Sequence, residues 1–325
     1  MSKARDYFIS EDNFSFLMET KVEPYLKEKL TDSYFSADDG KNIHYVFYKA
    51  DAPKANIVIC HGFTESAEKF REMCWYFLNM NLNVFAVDNR GHGLSHRINS
   101  ENEIVHIDYF DQYVDDLNTF VNKIVKKEAP SLPLYLYSHS MGGGISVQHM
   151  QKFPGVFEKV ILSAPMIKAK TAGIPEGIAK IVTRLFILLG KDKEKVMGYK
   201  GFNPNRTYEN SHDTSKARFD YYQKKRVENV HLQTAAPSYR WVNEAVKVAA
   251  LNLDAKRNER ITAKVLLCQP EEDSSVYSEK EDEFIKLVKN GQLVRFTKCK
   301  HEIYNSVDET VKEYLDVIEA FLFDD

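Results

Sequence analysis

The residues Ser138-His139-Ser140-Met141-Gly142 have types and a spacing that can do chemistry. They form a small-x-Ser-x-Gly turn, the nucleophile elbow, with Ser138 in place of the more usual first glycine. A turn this tight requires small residues two before and two after the nucleophile, and Ser138 and Gly142 meet that demand. A serine hydroxyl attacks a carbonyl only when a base takes its proton. The base in turn needs an acid to fix its tautomer and stabilise the imidazolium. Of ten histidines, His301 is the one that follows a core strand downstream of Ser140, in Lys298-Cys299-Lys300-His301-Glu302. For the acid, the strand Val265–Cys268 runs into Gln269-Pro270-Glu271-Glu272-Asp273. Asp273 is the choice and Glu271 and Glu272 are the alternatives, in the chain order Ser, Asp, His. The oxyanion formed by attack needs two preorganised donors. The Met141 N–H supplies one, and the Phe63 N–H, in His61-Gly62-Phe63 after an earlier strand, is the candidate for the other.

The elements that must hold these groups can be read around them. Leu134–Tyr137 is a short apolar run, a buried strand, and a helical pattern follows the elbow. That helix aims its free N–H groups and positive dipole end at Ser140. Upstream, a helical stretch spans Phe14–Leu30. Alternating runs at Ser33–Ala37 and Ile43–Tyr48 flank Asp39-Gly40, a hairpin signal. Ile57–Cys60 and Asn83–Val87 read as buried strands separated by a helix over Ala67–Met80. Asp111–Lys127 is amphipathic, with Val114, Leu117, Val121 and Ile124 on one face. Lys159–Leu162 is a further strand. From Val265 the alternation resumes as strand, helix (Glu279–Val288), strand (Leu293–Phe296) and helix (Val307–Leu322). Such alternation predicts an α/β fold with a parallel sheet and crossover helices. Between Met166 and Ala235 the rhythm stops. The chain therefore divides into a core over 1–165, an inserted lid over 166–235, and the rest of the core over 236–325.

Composition narrows the function classes. A chain of 325 residues, 43% hydrophobic, can bury a sizeable core. A net charge of −3 gives no general attraction to nucleic acid. The four cysteines, Cys60, Cys74, Cys268 and Cys299, show no metal or redox spacing. Cys60 and Cys268 lie in apolar runs where a buried thiol is expected, which points to a reducing compartment. The first twelve residues carry no signal-peptide pattern, and no apolar run approaches the roughly 20 residues that span a bilayer. A soluble, cytoplasmic protein is expected, with no metal or organic cofactor.

The segments His61-Gly62-Phe63-Thr64-Glu65, Asp88 to Ser95 (D-N-R-G-H-G-L-S), Ser138 to Gly143, Glu272 to Val276 and Lys300 to Tyr304 occur in order. Together they resemble the α/β-hydrolase superfamily, in its branch of monoacylglycerol lipases, lysophospholipases and serine aminopeptidases. Residues 207–219 and 235–245 are similar to the bacterial lysophospholipase L2 type. The resemblance runs from about Ser33 onward. It implies a mostly parallel central sheet with helices on both faces and an inserted, mainly helical lid. It also implies Ser140 as nucleophile, Asp273 as acid, His301 as base, and Phe63 and Met141 as oxyanion donors. Arg90-Gly91-His92-Gly93 is read as structural, His92 as a hydrogen-bonded scaffold residue, and His61 and His139 as supports beside the site.

Residues 166–235 hold 14 Lys and Arg against 7 Asp and Glu, a net of +7. Their amphipathic run, Ile178–Leu189, has two readings. Its apolar face lines an acyl slot or touches an anionic membrane surface, or it packs on the core with its charges in water. A lipid-like carboxylic ester is the expected substrate, a monoacylglycerol or lysophospholipid. A serine aminopeptidase and a short-chain carboxylesterase are the alternatives. The complete set of candidates argues against a non-catalytic binding fold. Ser140 at the elbow excludes dehalogenase and epoxide-hydrolase chemistry, which would place a carboxylate there.

Overall fold

The runs that are apolar at nearly every position become the middle of a sheet buried on both faces, as parallel strands must be. A computed structural model describes residues 7–98, 101–171 and 173–324. The N-terminal reading falls partly on residues 1–6, outside the described residues. Eight strands form the main sheet: β1 (Leu30–Ser36), β2 (Asn42–Tyr48), β3 (Ala55–Cys60), β4 (Leu82–Val87), β6 (Leu134–His139), β7 (Lys159–Ser163), β9 (Lys264–Pro270) and β10 (Gly291–Phe296). Two short strands, β5 (Ile104–Val105) and β8 (Ala236–Pro237), pair with each other outside it. The spatial order is β1-β2-β4-β3-β6-β7-β9-β10. β2 pairs antiparallel with β1 and β4, and every other pairing is parallel. The β1–β2 hairpin closes through Gly40, at φ 78°, where the Asp39-Gly40 signal places it.

The helices are α1 (Phe14–Leu17), α2 (Glu23–Glu28), α3 (Arg71–Asn79), α4 (Asp111–Phe120), α5 (Lys126–Glu128), α6 (Met141–Lys152), α7 (Glu176–Leu188), α8 (Lys216–Glu228), α9 (Tyr239–Asn252), α10 (Ala255–Asn258), α11 (Ser278–Leu287) and α12 (Asp308–Phe323). They cover the sheet on two sides, because alternate residues of each strand face opposite ways. Val58 and Cys60 of β3 pack with Val114 and Leu117 of α4, Ile145 of α6 and Phe284 of α11. Ile57 and Ile59 pack on the other side with Cys74 and Phe77 of α3, Val22 and Leu26 near the N-terminus, and Ile318 of α12. Doubly wound sheets present their functional groups at the carboxyl ends of the strands. Here those ends are Cys60, His139, Ser163 and Pro270. Among the described residues, no helix is long and apolar enough to cross a membrane.

Between β7 and β9 the chain adds no strand to the main sheet. Its two long helices before β8 have opposite surroundings. α8 is anchored by charge: buried Arg218 donates to both Glu72 oxygens (2.9 and 3.0 Å) and to Asp308 (3.1 Å). Lys224 pairs with Glu19, and Lys225 with Glu23 and Glu68. The excess positive charge of 166–235 is thus partly spent on docking against the acidic core. α7 packs one side on α9, where Phe186 stacks on Tyr239 at 4.0 Å. Its Ile181, Leu185 and Leu188 are 69%, 53% and 85% exposed. The reading in which the apolar face of this helix packs wholly onto the core therefore fails.

Candidate active site

Each reacting group in the candidate site projects from the end of a strand. At the end of β6 the backbone turns so sharply that Ser140 takes φ 51° and ψ −117°, a conformation costing a non-glycine residue about 1–3 kcal/mol. Neighbouring chain over-determines it. The Ser140 N–H donates to Ser163 O (3.1 Å), and Ser140 O accepts from Met166 N–H (2.7 Å) and Gly144 N–H (3.2 Å). Gly142 is obligatory, since a Cβ there would lie 2.1 Å from the Cys60 carbonyl oxygen. Ser138 is fully buried and its hydroxyl donates to Ile161 O, so the serine in place of glycine is accommodated.

The Ser140 hydroxyl lies 2.8 Å from His301 Nε2, and His301 Nδ1 lies 2.7 Å from Asp273 Oδ2. The other Asp273 oxygen accepts the N–H groups of Ser275 (2.7 Å) and Val276 (2.9 Å). Burial disfavours ionisation of Asp273. Its bond from His301, with the two backbone donors, outweighs burial and holds the carboxyl below its usual range. An ionised Asp273 fixes the proton on His301 Nδ1 and leaves Nε2 free to accept from Ser140. The alternatives lie elsewhere: Glu271 accepts from Lys298 N–H (2.8 Å), and the structure brings Asp273, not Glu271 or Glu272, to His301. Met141 follows Ser140 as the first residue of α6. Phe63 follows β3, lines the same cavity as Ser140, and packs its ring 4.2 Å from that of Trp241.

A buried polar chain beneath these groups is built on Glu65, the last residue of His61-Gly62-Phe63-Thr64-Glu65, a role for that glutamate which the sequence reading missed. Glu65 accepts from Gly62 N–H (2.6 Å), His139 Nδ1 (3.0 Å), Lys69 (3.0 Å) and the Tyr304 hydroxyl (2.6 Å). It joins the loop carrying Phe63 to the strand end carrying Ser140. His139 Nε2 donates to the His301 carbonyl (3.2 Å), so both ring nitrogens face acceptors. Burial works against a charge on His139, but the Glu65 carboxylate raises its pKa above the ordinary value. The His139 ring holds the His301 backbone in place through its Nε2 bond. His61 is the opposite case. Burial lowers its pKa, and its Nε2 accepts from Asn89 N–H (2.9 Å) while Nδ1 donates to Gly62 O (2.7 Å). His92 donates through Nδ1 to Arg90 O (3.1 Å), and Arg90 is held by Asp116 and Asp39. This segment is scaffold beside the site.

The cavity at Ser140 measures about 440 Å³. Its polar end holds Lys69, Arg206, His212, Asp213, Arg226 and Glu302. Lys69 pairs with Glu302 at 2.6 Å as well as with Glu65. Burial opposes the charge on Glu302, but Lys69 overrides it and brings the carboxyl down to about 2. Burial and the adjacent Glu302 push Asp213 up to about 8, and burial takes His212 down to about 4. At its other end the cavity shares Ala169, Lys170, Tyr199 and Trp241 with an apolar slot of about 410 Å³ between α7 and α9, lined by Ile174, Ile178 and Val182.

Residues 51–308 match the family model described as serine aminopeptidase, S33. The chain is 25% identical to lysophospholipase L2 of Escherichia coli (strain K12), over 92% of its own length and 89% of that protein. It is 33% identical to the monoglyceride lipase of Homo sapiens over 40% of its length and 42% of that protein. Among solved structures, a soluble variant of monoglyceride lipase from Saccharomyces cerevisiae, in complex with a substrate analog, superposes with a TM-score of 0.75. The identity there is 17%, over 93% of this chain and 97% of that one. A thermostable carboxyl esterase from Bacillus coagulans gives a TM-score of 0.74 at 18% identity, over 90% and 97%.

Proposed function

The chain belongs to the serine aminopeptidase S33 family of α/β-hydrolases, and from that premise we propose that it hydrolyses carboxylic esters of lipid-like alcohols, a monoacylglycerol or a lysophospholipid, through an acyl-enzyme on Ser140. The observation that carries this reading is the hydrogen-bonded series Ser140–His301–Asp273, set where a polar cavity opens into an apolar slot. In the first step His301 Nε2 takes the Ser140 proton as the oxygen attacks the ester carbonyl. The Phe63 and Met141 N–H groups receive the negative oxygen. As the tetrahedral centre collapses, the proton on His301 passes to the departing alkoxide, and the alcohol leaves. A water then gives its proton to His301 and attacks the acyl carbonyl. Fatty acid is released and the proton returns to Ser140. Asp273 holds the His301 tautomer and balances the imidazolium in both halves.

The slot between α7 and α9 suits an acyl chain. We take residues 166–235 as the lid over a core of 1–165 and 236–325. The exposed Ile181, Leu185 and Leu188 support peripheral contact of that lid with an anionic membrane surface. The four cysteines are unpaired and buried, in keeping with a cytoplasmic location. An aminopeptidase would need free carboxylates for the substrate ammonium. Glu65 and Glu302 are instead committed to Lys69, which favours the ester.

The test compares the wild type with Ser140→Ala on p-nitrophenyl esters of increasing chain length, 1-acylglycerols, lysophosphatidylcholine and aminoacyl-arylamides. Ester turnover should exceed arylamide turnover, rise with chain length and fall at least about a thousandfold in the variant. Undiminished activity in Ser140→Ala would remove the mechanism, and preferred cleavage of arylamides would make the protein a peptidase.

A further inference from the structure

Two guanidinium groups at the polar end of the Ser140 cavity have no counter-ion. Arg226, on the last turn of α8, is only 8% exposed. Its Nε donates to Leu232 O (3.0 Å) and its Nη2 to Thr234 O (2.9 Å), and its guanidinium lies 4.8 Å over the Phe202 ring. Arg206 donates through Nη2 to Asn210 O (3.2 Å) and lies over the Phe219 ring. Among the described residues, no carboxylate lies within 4.0 Å of either group. Arg218, two turns earlier on the same helix, has three, from Glu11, Glu72 and Asp308. Backbone carbonyls fix a guanidinium in place but do not neutralise it, and a buried cation left so is costly unless something charged completes it.

The carboxylates of the same cavity do not serve. Glu65 and Glu302 are paired with Lys69, and Asp213 shares its environment with Glu302 and Asn305. Arg226 Nη1 donates to no described residue, so the pair retains donors for a ligand. Preorganised, planar donors of this kind match phosphate oxygens. The acyl slot occupies the other end of the cavity, so an ester held at Ser140 with its chain in that slot directs its alcohol portion toward this end.

We propose that Arg206 and Arg226 form a subsite for the phosphate of a glycerophosphate head group, so that lysophospholipid is preferred over monoacylglycerol. This assignment rests on the lipid-ester reading above. Its test is the ratio of kcat/KM for lysophosphatidylethanolamine to that for a monoacylglycerol of the same chain, both below their aggregation concentrations. The wild-type ratio should exceed ten. Arg226→Gln and Arg206→Ala should each lower it about 10- to 100-fold, mainly through KM, as expected for a charged hydrogen bond. Arg206 is half-buried on a loop, so its variant reads out the subsite even where Arg226→Gln weakens the fold. Glycerol 3-phosphate should inhibit monoacylglycerol hydrolysis more strongly than inorganic phosphate at equal ionic strength. A wild-type ratio near one, or variants that slow both substrates equally, would overturn the subsite while leaving ester hydrolysis intact. Equal inhibition by inorganic phosphate would make it a free-anion site and overturn the head-group assignment. No turnover of any ester would overturn the parent reading and this one with it.

Discussion

α7 and α8 are each 13 residues long and stand in the same stretch between β7 and β9, yet they are held by different forces. α8 buries Arg218 against Glu72 and Asp308 and ties its surface lysines to glutamates of the N-terminal helix and the turn before α3. α7 meets α9 along one side and leaves Ile181, Leu185 and Leu188 in water. The polar end of the cavity lies against α8 and the apolar slot against α7. A wall held by ion pairs thus faces the end proposed for the charged head group, and a wall held by apolar contact faces the end proposed for the acyl chain. Ion pairs with defined geometry can hold a wall still, whereas apolar contact is non-directional and tolerates sliding.

The largest effect that would break this contrast lies in α8. Arg218→Ala leaves Glu72 buried beside Asp308 without its cation, and stability should fall by about 3–5 kcal/mol in urea titrations. A loss under about 1 kcal/mol would show that charge does not anchor α8, and the distinction from α7 would collapse. Next comes the acid at the foot of α8. Asp213 is pushed up to about 8, whereas in the unfolded chain it titrates near the ordinary value of about 4. Between those values the folded protein keeps a proton that the unfolded chain has lost. The stability this contributes is complete below about pH 4 and is lost as pH rises toward 8. Glu302, brought down to about 2, runs the other way, its contribution being lost as pH falls through that value. Asp213→Asn keeps a partner for Asn305 without titrating. Its stability should fall less steeply between pH 5 and 8, by up to about 1.4 kcal/mol per pH unit. Parallel curves for the two proteins would place the titration elsewhere.

The same division marks what could be read from the chain itself. Ser140, His301 and Asp273 were legible because each follows a strand whose apolar run has a definite end, and strand order fixes which ends share one edge of the sheet. Asp273 was the sequence choice over Glu271 and Glu272; what spacing does not reveal is the turn that orients its carboxyl, closed by the Ser275 and Val276 N–H groups. Arg218 and Arg226 look like any surface cation of a basic helix. Their burial depends on contacts with Glu72, about 146 residues away in sequence, and with the turn at Leu232–Thr234. The net charge of 166–235 is plain in the chain, but a charge total does not separate cations facing solvent from cations docked on an acidic core. The apolar face of α7 was legible from its period. Which of its residues line the slot and which stay exposed was not, because that depends on where α9 lies.

The smallest expected effect tests the exposed side of α7. Ile181 and Leu188 do not line the slot and touch water already, so Ile181→Ser with Leu188→Ser should change stability by no more than about 0.5 kcal/mol per site. If this face meets a lipid surface, the double variant loses apolar area only in the bound state. Turnover of a vesicle-borne ester should then fall about three- to tenfold relative to turnover of a monomeric short-chain ester. The ratio separates surface contact from chemistry, since a disturbed site would slow both substrates together. An unchanged ratio would mean that α7 is open for entry of the chain alone. A large loss of stability would mean that α7 is anchored as firmly as α8, and that its exposure does not measure how easily it moves.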